Sequence, residues 1–512
     1  MENTSFGVSN FKCFAENTNI SIRPITINIG PNNSGKSSMI KSLEILSKSC
    51  EGLSNNYEDI LSNIYSYKIK NLGTPSTFLN NPEKELCYTI DISSESLSSI
   101  YSNHKVQIML FFAFNVKSIV FTEYKNRDEV HNNPGSFETV YNNYFRGEIK
   151  ERPGRGELVK YQIIIDNIPI IELSKELDKG EANIIAGDGT ELFRGKINFI
   201  TPIKIKSFFD VTKLLAQNSN KQELKVKFHG DTFTNLPKLK IFLANTFEKN
   251  EIQNSVELLD LINTCLTEVV KFQNEVPTLN YITLNRRENK RFIDNESTSM
   301  FKTSMELYYD EKMLGSVVLI LSKILPLFGL PSKVDIHYEN DFGFQFYLID
   351  SKGNRRNIAD YGSGINQLLP VILAASTFSE ENPLIFEGTQ LTKKDFFCKS
   401  IIIIEEPESN LHPNMQSKLA DMFTLLLNER NQNFIIETHS EYLVRRFQNL
   451  IASGKLSHEN IIINYFWNDE SKHNCKQIQF KEDGGLDDTF ENGFFDESLM
   501  LELDLLRIKN LN

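Results

Sequence analysis

Three rhythms of apolar and polar positions run along the chain. Near the N-terminus the pattern is that of strands. Phe6-Gly7-Val8 and Ile20-Ser21-Ile22-Arg23 are short β-type runs, and Ile25-Thr26-Ile27-Asn28-Ile29 alternates in β-branched residues. Met39 to Leu46 then predicts an amphipathic helix. Two short strands ahead of a third suggest an antiparallel edge leaning on a parallel sheet. From about 49 to 196 the runs Lys105 to Phe114, Ser118 to Tyr124, Thr139 to Lys150 and Leu158 to Ile165 predict a β-rich region, with turns at Asn133-Pro134-Gly135 and Pro153-Gly154-Arg155-Gly156. From about 205 to 275 the period becomes helical. Ile252, Val256, Leu259, Ile262, Leu266 and Val269 share one face, widened by Leu258, Leu261, Cys265 and Val270.

Further on, Tyr281-Ile282-Thr283-Leu284 predicts a strand and about 303–325 a helix ended by Pro326. Val334 to Glu339 and Gly343 to Ile349 alternate and pair across Asn340-Asp341. After 358 the order is strand, helix, strand, helix. Ile401-Ile402-Ile403-Ile404 and Asn433-Phe434-Ile435-Ile436 are the apolar runs of a parallel sheet buried on both faces. No heptad run is long enough for an extended coiled coil. The expected class is α/β, in three parts: 1–204, 205–332 and 333–512.

Candidate chemistry enters where the patterns meet. Gly30-Pro31-Asn32-Asn33-Ser34-Gly35-Lys36-Ser37 has the P-loop spacing and lies between a predicted strand and helix. A plain glycine turn is the alternative, and the complete spacing in this setting argues against it. Loop N–H groups and the helix N-terminus suit phosphate oxygens. Gly30, Asn32, Asn33, Ser34, Gly35, Lys36, Ser37 and Ser38 are the expected phosphate-binding set. Lys36 should reach the β- and γ-phosphates, and the Ser37 hydroxyl should ligate Mg²⁺.

The apolar strand at 401–404 runs into Glu405-Glu406-Pro407-Glu408. A carboxylate at such a strand end can hold Mg²⁺ through water, which points to Glu405; the next one can polarise an attacking water, which points to Glu406. The alternative is a solvated strand end. His439, closing the following strand in Glu437-Thr438-His439-Ser440, can hydrogen-bond the γ-phosphate or orient the water. Ser363 and Gly364 open a predicted helix, a second anion-binding geometry.

Bulk composition narrows the classes. A net charge of −12 argues against general nucleic-acid binding through the whole surface. Local basic patches remain, chiefly Arg286, Arg287, Lys290 and Arg291, with a solvated face as the plainer reading. The six cysteines form no CxxC pair, so neither a zinc site nor a disulfide framework is suggested. The longest greasy run, Val106 to Phe114, is too short to span a bilayer, and the polar start is not a secretory signal. The expectation is a cytoplasmic protein without membrane partners.

Together these motifs resemble ABC-type ATPases, the group that includes SMC, RecF and the overcoming-lysogenization-defect proteins. Glu405 to Pro413 resembles the Walker B and D-loop run, Ile435 to Ser440 the switch-histidine strand, and Asp360 to Pro370 a degenerate signature. The resemblance covers about 1–48 and 333–450. It differs in a glutamate, Glu405, where most members have aspartate, and no Q-loop glutamine is placed. Tyr281 to Phe292 resembles a YI-x-P-x-R-x-x-P-x-R segment with both prolines replaced, by Leu284 and Asn289. Asn492-Gly493-Phe494-Phe495-Asp496-Glu497 resembles a C-terminal GFFDE element. Both segments resemble those of bacterial AAA-like ABC ATPases with small lids, a group several of whose members are ATPase subunits of anti-phage systems such as Septu and PARIS.

The resemblance implies an ABC-type P-loop ATPase head with a mixed sheet, an antiparallel β subdomain and an inserted α-helical lid. It implies ATP and Mg²⁺ as cofactors, hydrolysis between two copies with Ser363 and Gly364 acting on the partner's nucleotide, and thus a homodimer or higher homo-oligomer. It also implies a separate effector, a nuclease. A built-in Toprim nuclease is not expected, because only about 70 residues follow His439. Three readings stand: a hydrolysing defence switch, a low-turnover ATP-bound scaffold that stores an effector, and a RecF-like DNA-repair ATPase using the arginine patch.

Overall fold

The computed structural model describes residues 4–50, 63–65, 75–92, 96–97, 101–114, 118–123, 145–150, 155–174, 182–185, 191–199, 225–228, 231–233, 261–262, 264–265, 268–269, 279–282, 293, 300–309, 314–339, 342–377, 384–387, 390–393, 401–469 and 472–490. Two compact units emerge, one comprising Met1–Gly7, Thr18–Leu43 and Val269–Asn512, the other Val8–Asn17 and Glu44–Glu268.

The first unit is built on a six-stranded sheet. Its order is Leu279–Ile282, Ile401–Glu405, Asn433–Thr438, Ile25–Ile29, Ile461–Asp469 and Lys472–Gln479. The first five strands are parallel and the sixth is antiparallel to its neighbour. Parallel strands need crossovers, and the helices Pro413–Arg430 and Glu441–Ala452 supply two of them. Alternation along a strand assigns its two faces. Ile404, Ile436, Ile27 and Ile463 form one row across four strands, and Ile402, Phe434, Ile25 and Ile461 another. Both rows belong to the main hydrophobic core, with Phe423, Phe447, Leu368 and Ile372 from the helices. Each fully buried isoleucine contributes roughly 2–3 kcal/mol by leaving water.

One residue further along, the register places Glu405, Glu437, Asn28 and Asn464 side by side on the other face. A polar row thus crosses the carboxyl end of the sheet, the edge where ligands bind in open α/β folds.

The hairpin Lys333–Glu339 and Gly343–Ile349 forms as the alternation predicts, and a third strand, Arg355–Asn357, joins it. The helix expected over about 303–325 is described as two, Met300–Tyr309 and Leu314–Ile324, followed by a tight turn at Leu325–Phe328 that accommodates Pro326. Gly329 closes that turn with φ +71°.

The second unit contains an antiparallel sheet in the order Asp231–Phe233, Lys225–Phe228, Ala182–Ile185, Glu191–Phe199, Ile168–Ser174, Arg155–Ile165, Val106–Ala113 and Leu86–Asp91. Its strands Val106–Ala113 and Arg155–Ile165 realise the greasy runs read from the sequence. The hairpin Lys225–Phe228 and Asp231–Phe233 lies inside a stretch whose overall period reads as helical. The alternation Lys225-Val226-Lys227-Phe228 is its local cause. Of the helical face expected over 252–269, Leu261, Ile262, Cys265 and Val269 are helical or buried. The turn at 133–135 lies outside the described residues, as do Pro153 and Gly154 of the second expected turn, whose Arg155 and Gly156 instead open the strand Arg155–Ile165. Among the described residues no helix is long and apolar enough to cross a membrane.

Candidate nucleotide site

The loop after Ile25–Ile29 turns through three left-handed positions, Gly30 at φ +152°, Asn33 at φ +63° and Gly35 at φ +109°. Only glycine fits at position 30, since a Cβ there would overlap the Phe466 carbonyl oxygen of the adjacent strand. Asn32 and Asn33 are exposed and Ser34 is buried. The helix Lys36–Cys50 starts directly on the loop, with the Met39 N–H donating to the Gly35 carbonyl at 2.9 Å. Ser37 and Ser38 thus sit in its first turn, where unpaired N–H groups favour an anion.

Lys36 is buried, and its Nζ donates to the carbonyls of Gly30 at 2.9 Å and Pro31 at 2.8 Å. Burial pulls its pKa below the ordinary lysine value, while Glu437, Glu406 and Glu408 pull the other way. The carboxylates come from the two neighbouring strands. Tyr281, one strand further out, donates its hydroxyl to Glu405. Glu406 adopts φ +40°, a costly conformation for a glutamate, and its N–H donates to the Glu437 carbonyl at 2.7 Å. Its carboxylate accepts from the Ser409 hydroxyl at 2.9 Å. Strain of this kind at a strand end aims the side chain out of the sheet's regular alternation.

Glu437 accepts the Ser37 hydroxyl at 2.8 Å through Oε1, while Oε2 is buried and has no hydrogen-bond partner. Burial foremost, and then Glu405 and Glu406, push its pKa up to about 7 against the opposing pull of Ser37 and Lys36. Glu408 is also buried; its Oε1 accepts the His439 backbone N–H at 2.7 Å, and burial raises its pKa. His439 is half-buried. Burial foremost, then Lys36, depresses its pKa, so the neutral imidazole prevails at pH 7. Ser440 caps the next helix by accepting the Leu443 N–H at 3.2 Å, which fixes where the strand ends.

Ser363 opens the helix Ser363–Thr377 and is exposed. A Cβ on Gly364 would lie 2.7 Å from the Asn410 carbonyl oxygen, so the start of this helix is packed on the loop that follows the acids. Asn410 donates to Gln367 of the same helix at 2.7 Å.

The structure thus gathers Lys36, Ser37, Glu405, Glu406 and His439 around one loop, with Ser363 and Gly364 tied to the acidic segment through Asn410. Over residues 1–444 the sequence matches the AAA ATPase domain. The chain belongs to the AAA ATPase domain family. No curated protein matches it in sequence. Solved structures similar to it include the SMC head domain from Thermotoga maritima, at 8% identity and TM-score 0.34, covering 93% of this chain and 98% of that one. Another is an SmcHead bound to the C-winged helix domain of ScpA, at 10% identity and TM-score 0.36 over the same shares. A third is an Smc head domain with an extended coiled coil bound to the C-terminal domain of ScpA derived from Pyrococcus furiosus, at 10% identity and TM-score 0.34, covering 98% of each chain.

An AAA ATPase domain binds and hydrolyses ATP. Three contacts of the site escaped the sequence reading. Glu437 carried no assignment, although it stands two residues before His439. The strand Ile461–Asp469, whose Phe466 carbonyl faces Gly30, carries a sequence signal in Ile461-Ile462-Ile463, as apolar as the runs at 401–404 and 433–436. His473, whose Nδ1 lies 3.2 Å from the Ser34 carbonyl, has no local signal at all. The patch Arg286, Arg287, Lys290 and Arg291 and the Asn492–Glu497 element lie outside the described residues.

Proposed function

We propose that this ATPase domain is the switch subunit of a bacterial anti-phage complex in the cytoplasm, hydrolysing ATP between two copies of itself and controlling a separate effector, a nuclease. The observation that carries the hydrolysis is the convergence of Lys36, Glu405, Glu406 and His439 at the carboxyl ends of adjacent parallel strands. Lys36 neutralises phosphate charge. Glu406 accepts the proton of the attacking water as its oxygen bonds to the γ-phosphorus and the bond to ADP breaks. Neutral His439 hydrogen-bonds the γ-phosphate or the water. The donor set fits Mg²⁺, which at nucleotide sites takes one or two carboxylates with phosphate oxygens and water. Ser37 and Glu405 would hold it, and bound there it supplies charge neutralisation of the phosphates. The buried, unpartnered oxygen of Glu437 is a further polar atom at hand.

The second copy enters because the chain has one P-loop and one signature-like turn, and Ser363 is exposed. Binding at two interfacial nucleotides would favour a closed dimer, and loss of the γ-phosphate would relax it. What supports the defence role is the resemblance of Tyr281 to Phe292 and Asn492 to Glu497 to segments of a group of bacterial AAA-like ABC ATPases several of whose members serve anti-phage systems.

Native mass spectrometry of the complex purified from cells carrying its own operon tests the reading. The expected particle is a homo-oligomer with bound nucleotide and a co-purified nuclease. In the same assay Glu406→Gln should lose turnover by about 100-fold or more and stay loaded with ATP. Unchanged turnover in that variant would favour the storing scaffold. A bare dimer that gains mass only with added DNA would favour repair. Intact ATP affinity in Lys36→Ala would remove the site assignment altogether.

A further inference from the structure

Glu437, like Glu408, is an acid of the site without a role in the reading above, and it bonds a P-loop side chain. It is 6% exposed. Its strand places it in register with Glu405 on one side and Asn28 on the other. One oxygen accepts the Ser37 hydroxyl at 2.8 Å; the other is buried without a partner. In the neighbouring register position Asn28 is fully buried, and its Nδ2 also has no partner. Two adjacent, unsatisfied buried groups mark a place built for something that both can bond.

A serine hydroxyl has one proton and two lone pairs. With its proton committed to Glu437, the Ser37 oxygen keeps its lone pairs for a cation. Carboxylates that fix the remaining proton of a metal-ligating group are the usual outer partners of metal sites. Anchoring Ser37 alone would not require a charge, since an amide oxygen accepts the same bond. Glu437 stands in register beside Glu405, and two carboxylates next to a metal-ligating hydroxyl are a donor set that suits a divalent cation.

We propose that Glu437 is a positioning residue for the metal–nucleotide site: it orients Ser37 by taking its proton, and its second oxygen holds a cation-bound water. The inference rests on the nucleotide-site reading above. It names a carboxylate, contributed by the histidine strand, through which metal affinity is set separately from nucleotide affinity.

The test uses the full chain with a non-hydrolysable ATP analogue and Mn²⁺ as the probe, titrated by electron paramagnetic resonance. Nucleotide affinity in EDTA is the companion readout. Glu437→Gln, nearly the same shape, should weaken Mn²⁺ by about 10- to 100-fold while nucleotide affinity in EDTA stays at the wild-type value. Ser37→Ala should weaken Mn²⁺ as well, and Glu437→Ala combined with Ser37→Ala should lose less than the sum of the two single losses, since Glu437 acts partly through Ser37. Wild-type Mn²⁺ affinity in Glu437→Gln, or fully additive losses in the double variant, overturns the proposal. If Glu437→Gln does not fold, Glu437→Asp is scored by the same two readouts, since it keeps the charge and shortens its reach. A wild-type chain that binds no nucleotide with or without Mn²⁺ instead removes the underlying reading.

Discussion

Four carboxylates, Glu405, Glu406, Glu408 and Glu437, and one lysine set the electrostatics of the site. Glu408 lies deepest in its consequences for stability. It is 8% exposed, and one oxygen holds the His439 N–H. Burial raises its folded pKa above the unfolded one, with Glu406 adding to the rise. Between those two values the folded state binds the extra proton, so stability falls as pH rises. The stability of the protonated form is fully present below the ordinary glutamate pKa and is lost as pH climbs through the folded value. Glu408→Gln cannot ionise. Its apparent melting temperature, relative to wild type, should therefore rise progressively as pH climbs above the ordinary glutamate pKa in nucleotide-free protein. Parallel melting curves for the two proteins across that range would refute the linkage.

At the scale of elements, the loop is shaped by a strand far from it in sequence. Gly30 passes the Phe466 carbonyl so closely that no side chain fits, and its φ of +152° disfavours any other residue. The obstacle is backbone oxygen in a paired strand, which cannot swing aside as a side chain would. Gly30→Ala should cost about 2 kcal/mol or more and sharply weaken ATP binding. Chemical denaturation and titration with a fluorescent ATP analogue measure the two effects. If both stay at wild-type values, the close approach does not determine the loop's path.

For the whole molecule, the proposed cycle needs two copies. Ser363 is exposed at the start of a 15-residue helix, and Gly364 behind it is seated on Asn410 of the acidic segment. That seat ties the signature-like turn to the segment that carries Glu406. Ser363→Arg should leave ATP binding to a single copy intact and abolish ATP-dependent dimerisation. Sedimentation velocity of the ATP-loaded Glu406→Gln protein, with and without the added Ser363→Arg change, gives the answer. Dimers of equal stability in both would place the partner contact elsewhere on the surface.

Sequence by itself determined the strands at 25–29, 401–404 and 433–436, the P-loop, the acidic strand end, the α/β class and membership of the ATPase family. These are local properties. The run Ile401-Ile402-Ile403-Ile404 is too apolar to lie anywhere but inside a sheet, and the glycine spacing of the loop is set by its own backbone. The tertiary structure decided which residues meet. The Ser37–Glu437 bond joins positions 400 residues apart, and the row Glu405, Glu437, Asn28 and Asn464 exists only once four strands adopt one register. Shifting any strand by one residue would turn its polar member into the opposite, hydrophobic face. Strand order and register come from burying both faces at once. That is a sum over contacts between distant segments, which no local window of the chain contains.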